Sequence, residues 1–392
     1  MTNNNNVLLR NPQELLRNLP LLEYTASLYP QNSLDNTVII CVQHLASTTY
    51  TLLHKLISLG LRKEDLHVLG KCYSTNPAVY EALKIDGIKV SNKSMAFDSH
   101  VSYDSQHNAN IKQFFGDCLK SLKADPLIQQ KKIIVLDDGG YLLELANSQF
   151  PEEWNVAGVE QTSAGYRKLS TQSISFPIVN VARSRAKLQY ESPIISKLIL
   201  KRMEHHIDLI SEKIKNVLII GNGAIGKSVY NRLKSNFDVH IYDVKTKRSD
   251  FRSKELNKYI GDYDLLVGCS GSKALSIENY PYLNRPVYLV SASSSDREFD
   301  AHNLRLKHPA VKDPHVDLDI NGINLVNCGF PLPFDNAYNE IDVNELQLTR
   351  SLLLAGIIQA KNSAPISKGL VKLSSKYQNK VISFYTKHSY SS

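Results

Sequence analysis

One segment of this chain limits its fold more than any other: a buried strand that runs into a glycine-rich turn and then into a helix. The segment reads NVLIIGNGAIGKSVYNRL, and its strand is predicted at Asn216–Ile220. Gly221 allows the tight turn, Gly223 lets the backbone approach a pyrophosphate, and Gly226 lets the helix pack closely against the strand. The arrangement therefore predicts an α/β domain of the Rossmann type.

The same segment predicts a nucleotide cofactor. Free N–H groups at the helix N-terminus, around Ala224 and Ile225, and the helix dipole favour a bound pyrophosphate. The next predicted strand ends in Asp243, 22 residues after the first glycine of the turn. A carboxylate there would accept hydrogen bonds from both adenosine ribose hydroxyls and would repel a 2′-phosphate, so NAD is favoured. NADP stays open as a minor alternative because of the basic residues just past this acid, Lys245, Lys247 and Arg248.

Strand-like and helical patterns alternate along the first half of the chain. The apolar, β-branched runs are Thr37–Val42, Leu66–Leu69, Gly87–Val90 and Lys132–Leu136. The helical patterns between them are Thr48–Leu59 and Asn110–Leu122. Such alternation is typical of a parallel sheet with helices on both faces. We therefore predict the α/β class with two domains, a NAD-binding Rossmann domain and a split α/β substrate domain, joined by hinge helices.

The length of 392 residues favours two domains, because one hydrophobic core rarely grows to that size. After Pro193 a long helical pattern, Ile194–Ile214, precedes the glycine-rich segment, and a second one, Leu346–Ala360, follows it. A helix that returns after the second domain suggests that both ends of the chain build the first. The predicted parts are a substrate domain at 1–192, completed by about 334–365, a Rossmann domain at 193–333, and a polar C-terminal tail at 366–392.

Charge and composition narrow the classes of partner. The net charge is +8, but the basic residues are scattered and no aromatic residues interleave with them, so we expect no nucleic-acid partner. No apolar run reaches the roughly 18–20 residues that span a bilayer, and the N-terminus lacks a secretory-signal pattern, so we expect no membrane association. The five cysteines lie far apart, which predicts reduced thiols, a cytoplasmic location and no metal site.

Several separate motifs share their order and spacing with one enzyme family. They are His44 in CVQHLASTTYTLL, Ser74-Thr75, LDDGG at Leu136–Gly140, GVEQTSAGYRKL at Gly158–Leu169, FPIVNVARSRAKLQYESP at Phe176–Pro193, the glycine-rich turn, and Asn327-Cys328-Gly329. In these motifs the chain resembles S-adenosylhomocysteine hydrolase (adenosylhomocysteinase) over about residues 35–335. LDDGG, E-x-T-x-x-G and FPxxNV together, ahead of the glycine-rich turn, are specific to that family.

The resemblance implies an unusual reaction. In the family, bound NAD oxidises the 3′-hydroxyl of an adenosine ribose, and the resulting ketone acidifies the neighbouring 4′-hydrogen. A base removes that proton, the 5′-thiol leaves, water adds, and the hydride returns. A lysine of lowered pKa, surrounded by carboxylates, assists the 3′-hydroxyl. The expected substrate is therefore a nucleoside-type small molecule.

The resemblance also assigns roles to residues of this chain. Lys187 stands where the family has its lysine, and Glu191 stands where the family has an aspartate. The catalytic candidates are Lys187, Asp138, Glu191 and His44. Thr162 and Ser163 match the family's threonines that reach the nicotinamide. The candidates for cofactor binding are Gly221, Gly223, Ala224, Ile225, Gly226, Asp243, Thr162, Ser163 and Asn327.

The chain departs from the family at several catalytic and substrate positions. Gln161 replaces a glutamate that binds the reacting ribose hydroxyls, and an amide cannot act as a base. Ala46 and Thr48 replace residues that read adenine. The other replaced positions are Ser192, Ser196, the run Ser293-Ser294-Ser295-Asp296 where the family has G-H-F-D, and the lid segment at Gly329–Pro333. The family's C-terminal Tyr-Arg-Tyr ending, which reaches a neighbouring subunit, is replaced by KHSYSS.

Three hypotheses about function follow. The first is an adenosylhomocysteinase-like enzyme that transiently oxidises a sugar hydroxyl of a nucleoside-type substrate, with the family's homo-oligomeric state implied by resemblance. The second is a catalytically degenerate NAD-binding regulatory protein of the same fold. A hydroxy-acid dehydrogenase is less favoured, because its catalytic His–Glu pair has no clear candidate among His302, His308 and His315, which lie in polar, loop-like sequence.

Overall fold

The computed structural model describes residues 11–208, 214–252, 254–293, 295–334, 343–364 and 368–389. The chain divides into two compact units. Unit 1 comprises the described residues of 1–96, 108–191 and 340–392, so both ends of the chain contribute to it. Unit 2 comprises those of 97–107 and 192–339. None of the described helices combines the length and apolar character needed to cross a bilayer.

The described residues form thirteen strands and eleven α-helices. The strands are β1 (Thr37–Val42), β2 (Leu66–Leu69), β3 (Lys89–Val90), β4 (Lys132–Asp137), β5 (Val156–Glu160), β6 (Pro177–Asn180), β7 (Asn216–Ile220), β8 (Asp238–Tyr242), β9 (Leu265–Gly268), β10 (Val287–Ser291), β11 (Leu318–Ile320), β12 (Ile323–Leu325) and β13 (Gly369–Lys372). The helices are α1 (Pro20–Ser27), α2 (Ser47–Ser58), α3 (Pro77–Ile85), α4 (Tyr103–Lys123), α5 (Tyr141–Gln149), α6 (Ser163–Leu169), α7 (Arg185–Asp208), α8 (Ala224–Leu233), α9 (Ala301–Arg305), α10 (Val343–Lys361) and α11 (Ser375–Ser389).

Unit 1 is built on a seven-stranded sheet in the order β13-β6-β5-β4-β1-β2-β3, with every neighbouring pair parallel. Every residue of the central strands β1 and β4 is buried, as expected for strands covered on both faces. Alternate residues of β1 enter different cores: Ile39 packs with α10, and Ile40 packs in the core that contains Phe115 of α4. Helices therefore cover both faces of this sheet, which confirms the predicted α/β class.

Unit 2 is built on a six-stranded sheet in the order β11-β12-β10-β9-β7-β8. Only the described edge strand β11 runs antiparallel to its neighbour, and the remaining pairs are parallel. The crossover β7–α8–β8 contains the glycine-rich turn, and β9 lies on the other side of β7. The chain thus reverses its strand order beside β7, which is where doubly wound sheets open a crevice for ligands. This is the predicted Rossmann-type topology.

The helix that joins the two units begins earlier than predicted. The expectation was a helix at Ile194–Ile214 after Pro193, but α7 covers Arg185–Asp208 and contains that proline. The hydroxyl of Ser184 accepts a hydrogen bond from the N–H of Lys187 at 3.3 Å and so satisfies a free donor at the helix start. A proline inside a helix removes one backbone hydrogen bond, but this helix continues through it. The prediction was wrong because it treated proline as a boundary and overlooked the serine cap.

The C-terminal segment is folded, although its polar sequence predicts a tail from residue 366. Strand β13 extends the sheet of unit 1 by pairing with β6 in parallel register, and α11 follows it. Leu373 and Val381 anchor this segment in the core of unit 1, where they are 3% and 0% exposed. A few apolar residues suffice to hold this segment in place, because an edge strand is paired on one side only and a surface helix buries only one face. A prediction from composition misses such a segment because most of its residues are polar.

Candidate functional site

The residues that follow four neighbouring strands of unit 1 come together at one edge of its sheet. His44 follows β1, Lys71 follows β2, Asp138 follows β4 and Gln161 follows β5. Because these strands are parallel, their carboxyl ends share the same edge, where α/β proteins bind ligands. The polar side chains converge there on the carboxylate of Asp138.

Asp138 is the centre of this cluster. Its Oδ1 atom forms an ion pair with Nζ of Lys71, and its Oδ2 atom accepts a hydrogen bond from Nε2 of Gln161. The side chains of Asp138 and Lys71 are each only 7% exposed. Burial alone would raise the pKa of Asp138, but Lys71 and His44 hold it well below its usual value. Likewise burial opposes the charge of Lys71, yet Asp138 raises the pKa of this lysine. Both groups therefore stay charged, and they orient their neighbours rather than exchange protons with a substrate.

His44 is held between Asp138 and a serine. Its Nε2 atom lies 3.3 Å from Oδ2 of Asp138, and its Nδ1 atom lies 2.5 Å from the hydroxyl of Ser74. Burial lowers the pKa of His44, an effect that Asp138 opposes but does not overcome. A neutral ring fits these contacts, with Nε2–H donating to the carboxylate and Nδ1 accepting from the hydroxyl. Nδ1, which the hydroxyl of Ser74 contacts, is then the ring atom with the lone pair that can accept a proton.

Lys187 and Glu191 lie one helical turn apart on α7 and extend the same cluster. Nζ of Lys187 donates to the main-chain oxygen of Gln161 and lies 3.3 Å from Oε1 of Glu191. The hydroxyl of Thr349 donates to the same Oε1 atom at 2.8 Å. Gln161 thus links the two halves, its main chain to Lys187 and its side chain to Asp138. The structure brings together all four predicted catalytic residues within unit 1.

Two carboxyl groups lie beneath this cluster. Asp137 and Glu160 are register partners on β4 and β5, and both are almost completely buried. Burial raises the pKa of Asp137 to about 6, and the charge of Asp138 adds to this shift. Burial also raises the pKa of Glu160 well above its usual value, and Asp137 adds to that shift. Both shifts favour the protonated, neutral form of the carboxyl group. Thr162, a predicted cofactor-binding residue, contacts the second of these carboxyl groups. Its N–H and its hydroxyl both donate to Oε1 of Glu160 at 2.6 Å.

Sequence reasoning missed two cations of the cluster. Lys71 was detectable, because it stands two residues after a buried strand and three residues before Ser74. Arg350 was detectable as the one charge in the apolar helical pattern Leu346–Ala360. It is 6% exposed, and its Nε atom donates to the hydroxyl of Thr48 at 3.2 Å. Thr48, which stands at a predicted substrate-reading position, is therefore bonded to a buried arginine.

The glycine-rich turn of unit 2 has the geometry that a dinucleotide needs. Gly221 has a φ of +110°, and a Cβ there would lie 2.8 Å from the backbone of Ser270. A Cβ on Gly226 would lie 1.9 Å from the oxygen of Gly221, so α8 packs against β7 only because this residue has no side chain. A Cβ on Gly223, by contrast, would meet nothing within 4 Å, which leaves open space at the start of α8. No side chain caps that helix at its N-terminus, so free N–H groups are available for an anion.

Asp243 directly follows the last residue of β8, at the predicted place. Its two oxygens accept hydrogen bonds from the N–H groups of Asn222 and Lys245, at 2.9 and 2.8 Å. Each oxygen keeps a second lone pair with which it could bind a ribose hydroxyl. Next to this acid is a surface depression lined by Val244, Lys245, Thr246, Lys247, Arg248 and Lys254. The end of β8 therefore offers both a carboxylate and a cationic surface.

The remaining predicted positions have local roles or lie outside the described part of the chain. Asn327 has a left-handed backbone, and its amide donates to the main-chain oxygens of Phe330 and Pro331 at 3.3 and 3.1 Å. Ser163 is exposed at the start of α6. The hydroxyl oxygen of Ser196 lies 2.5 Å from that of Ser228. The side chain of Ser192 and the whole of Ser294 lie outside the described residues.

No model of a known protein family matches the sequence. The chain is 37% identical over 333 residues to uncharacterized protein MT0113 of Mycobacterium tuberculosis (strain CDC 1551 / Oshkosh), which corresponds to 84% of this chain and 65% of the relative. Uncharacterized protein Rv0104 of the H37Rv strain gives the same identity and coverage. The chain therefore spans slightly less than two thirds of the length of these curated relatives.

Among solved structures the chain is similar to dipicolinate synthase, A chain, from Bacillus subtilis, with 14% identity and a TM-score of 0.40 over 84% of this chain and all of that one. It is also similar to NAD-dependent formate dehydrogenase from Staphylococcus aureus, with 11% identity and a TM-score of 0.38 over 86% of this chain and all of that one. A likeness at this level assigns no activity to the chain. The Rossmann-type fold rests on its own strand order, and the resemblance to adenosylhomocysteinases stays a prediction.

Proposed function

We propose that this chain is an NAD-dependent enzyme that transiently oxidises a sugar hydroxyl of a nucleoside-type substrate, in the manner of the adenosylhomocysteinases. One observation supports it most: the four candidate catalytic residues of unit 1 form one hydrogen-bonded cluster, Lys187–Gln161–Asp138–His44, with Glu191 attached to Lys187. The cluster lies at the carboxyl edge of the sheet, where open α/β sheets bind their ligands.

The residues of the glycine-rich turn fit a dinucleotide. The space beside Gly223 and the uncapped start of α8 would receive the pyrophosphate, and Asp243 would bind the adenosine ribose. When bound there, NAD supplies an acceptor for the hydride of the hydroxyl-bearing carbon and later returns it. NADP is the alternative cofactor, favoured by the cationic depression beyond Asp243.

In this proposal the side chains of unit 1 divide the remaining work. Nζ of Lys187 takes the proton of the reacting hydroxyl, and Glu191 holds the ammonium that results. The charged pair of Asp138 and Lys71 fixes the orientation of Gln161 and His44. The neutral imidazole of His44 is then the group available to remove the acidified C–H proton, because the amide of Gln161 cannot act as a base.

Gln161 also motivates the second candidate, a regulatory protein that binds NAD without turnover. Its amide donates to the carboxylate of Asp138 and so occupies an atom that a substrate hydroxyl would otherwise use. In that case the cluster would hold a ligand but would not remove its proton. Oxidation of a substrate distinguishes the two candidates.

The test is the absorbance of reduced nicotinamide after adenosine or S-adenosylhomocysteine is added to the NAD-loaded protein. We expect the band in the wild type, and a decrease of about 10²–10⁴-fold in its rate of appearance in Lys187→Ala. Lys63→Ala, which removes an exposed lysine of the same unit, is the matched control and should behave as the wild type. Calorimetry with NAD alone shows whether each variant is loaded. An undiminished band in Lys187→Ala, or no band in a loaded wild type, would contradict the proposal.

A further inference from the structure

Arg350 on α10 carries a buried charge for which the described residues provide no carboxylate partner. It is 6% exposed, and the described residues provide its guanidinium with one hydrogen bond, from Nε to the hydroxyl of Thr48, and no ion pair within 4 Å. Burial lowers the pKa of Arg350 to about 10, although Asp138 and Glu191 raise it from a distance. The group therefore remains cationic at neutral pH, and its two terminal nitrogens have no acceptor among the described residues.

Several other buried cations among the described residues are neutralised or can lose their proton. Lys71 pairs with Asp138, and Lys131 pairs with two carboxylates at 2.9 Å. Arg305 in unit 2 pairs with Asp296 at 2.5 Å and donates to two main-chain oxygens. Lys132 has no carboxylate, but burial lowers its pKa to about 8, so it can become neutral. An arginine has no such release, so an unpaired one is costly unless an anion binds to it.

The contact of Arg350 places its guanidinium at the start of α2. This twelve-residue helix follows Ala46, which offers no side-chain cap, and its first turn contains no acidic residue. Its dipole and its free N–H groups therefore favour a negative charge at the same point. A second arginine is also there: Nε of Arg17 donates to the hydroxyl of Ser47 at 3.1 Å, and Arg17 forms no ion pair with the described residues. Two arginines thus contact consecutive hydroxyl residues of one helical turn.

We propose that Arg350, Arg17 and the first turn of α2 form a subsite that binds an anionic group of the substrate, a carboxylate or a phosphate. The proposal rests on the function proposed above, because it names the class of substrate for the same cluster. Within the cluster Nζ of Lys71 and Nζ of Lys187 each lie within 4 Å of a carboxylate, that of Asp138 and that of Glu191 respectively. The guanidinium of Arg350 has no carboxylate of the described residues at that distance. The planar fork of an arginine is suited to two parallel hydrogen bonds with either anion.

This subsite occupies the positions at which the resemblance expects contacts to adenine. Ala46 and Thr48 stand there, and Thr48 is bonded to the cation instead. A neutral purine would leave the guanidinium unpaired, whereas a carboxylate or phosphate would neutralise it. The substrate therefore presents an anionic group here, while its hydroxyl lies at Lys187.

The test uses inorganic phosphate and acetate as separate probes on the full chain, without NAD and without turnover. Trp154, the single tryptophan of the chain, is buried in unit 1, so its fluorescence follows the unfolding of the unit that contains the subsite. A ligand that binds the folded state raises the unfolding midpoint, and at a given concentration a tighter ligand raises it further. We expect at least one probe to stabilise the wild type saturably. Stronger binding of phosphate identifies a phosphoryl group, and stronger binding of acetate identifies a carboxylate.

Arg350→Met should weaken that binding at least tenfold, and it should also raise the unfolding midpoint in anion-free buffer, because an apolar replacement removes an unpaired buried charge. Arg17→Gln, at a partly exposed position, should weaken binding by a smaller factor without affecting folding. The matched control is Arg167→Gln, which removes an exposed arginine of the same unit and should change nothing. The proposal is overturned if neither probe stabilises the wild type, or if both arginine variants bind as tightly as the control. Because no cofactor is present, these results do not depend on whether the chain oxidises anything.

Discussion

The ion pair between Asp138 and Lys71 makes a quantitative prediction about stability. Each side chain is 7% exposed, so Asp138→Asn leaves a lysine ammonium buried without its counter-charge. Breaking a buried pair in this way costs about 3–5 kcal/mol. Lys71→Met leaves the carboxylate with His44 and Gln161 as its hydrogen-bond partners, and should cost a similar amount. The double variant removes both charges and should recover most of the loss.

The assay is urea unfolding of the wild type, the two single variants and the double variant. Trp154 lies in unit 1, as do both members of the pair, so its fluorescence reports the relevant transition. We expect a coupling energy of at least about 2 kcal/mol from this double-mutant cycle. Additive losses, with a coupling energy below about 0.5 kcal/mol, would refute the inference that the two charges depend on each other.

The pH dependence of this coupling has a definite sign. Since the pKa of Asp138 is lowered in the folded chain, its contribution is present above the ordinary aspartate value and is lost as the pH falls through the folded value. Since the pKa of Lys71 is raised, its contribution is present below the ordinary lysine value and is lost as the pH rises through the folded value. The coupling should therefore be constant between about pH 5 and pH 9.

Three further predictions concern other parts of the two units. Glu160→Gln should raise the free energy of unfolding at pH 8 and leave it nearly unchanged at pH 4. The pKa of this carboxyl is raised in the folded chain, so the wild type loses stability as the pH rises above the pKa of the unfolded state. Urea midpoints followed through Trp154 at the two pH values check this, and a variant less stable than the wild type at pH 8 would contradict it. Gly226→Ala should destabilise unit 2 by several kcal/mol, since its Cβ would collide with a main-chain oxygen. Gly223→Ala should fold normally and weaken NAD binding at least tenfold. Circular dichroism measures the folding and calorimetry the NAD binding of each variant, and equal effects of the two substitutions would contradict the roles assigned. Asp243→Asn should weaken NAD binding at least tenfold and reduce the preference for NAD over NADP, both measured by calorimetry. An unchanged ratio of the two dissociation constants would show that the carboxylate does not select the cofactor.

The sequence was most informative where a residue's chemistry and its neighbours along the chain define the structure together. β1, β2 and β7 have the predicted bounds, because short β-branched runs between turn residues leave few alternatives. The crossover around Gly226 was equally constrained, since only a residue without a side chain fits there. The start of α7 and the folded C-terminal segment were missed, because a single serine cap and pairing with a strand nearly 200 residues earlier determine them.

The candidate site divides in the same way. His44, Asp138, Lys187 and Glu191 could be selected from motifs, but their connection through Gln161 could not, because it depends on how neighbouring strands place their ends. Arg350 is the clearest omission. Its position within an apolar helix indicated a buried charge, yet only the folded chain shows that no described carboxylate neutralises it.

The central claim is that a substrate hydroxyl is oxidised transiently and restored. Incubation of the NAD-loaded chain with adenosine, and separately with adenosine 5′-phosphate, in D₂O tests it by NMR, because only a ketone at C3′ acidifies the neighbouring C4′–H bond. We predict that the 4′-proton signal of at least one probe disappears while the compound itself persists, and that Lys187→Ala slows this exchange by about 10²–10⁴-fold relative to Lys63→Ala. Full retention of the 4′-proton by both probes, with NAD bound throughout, would contradict the claim.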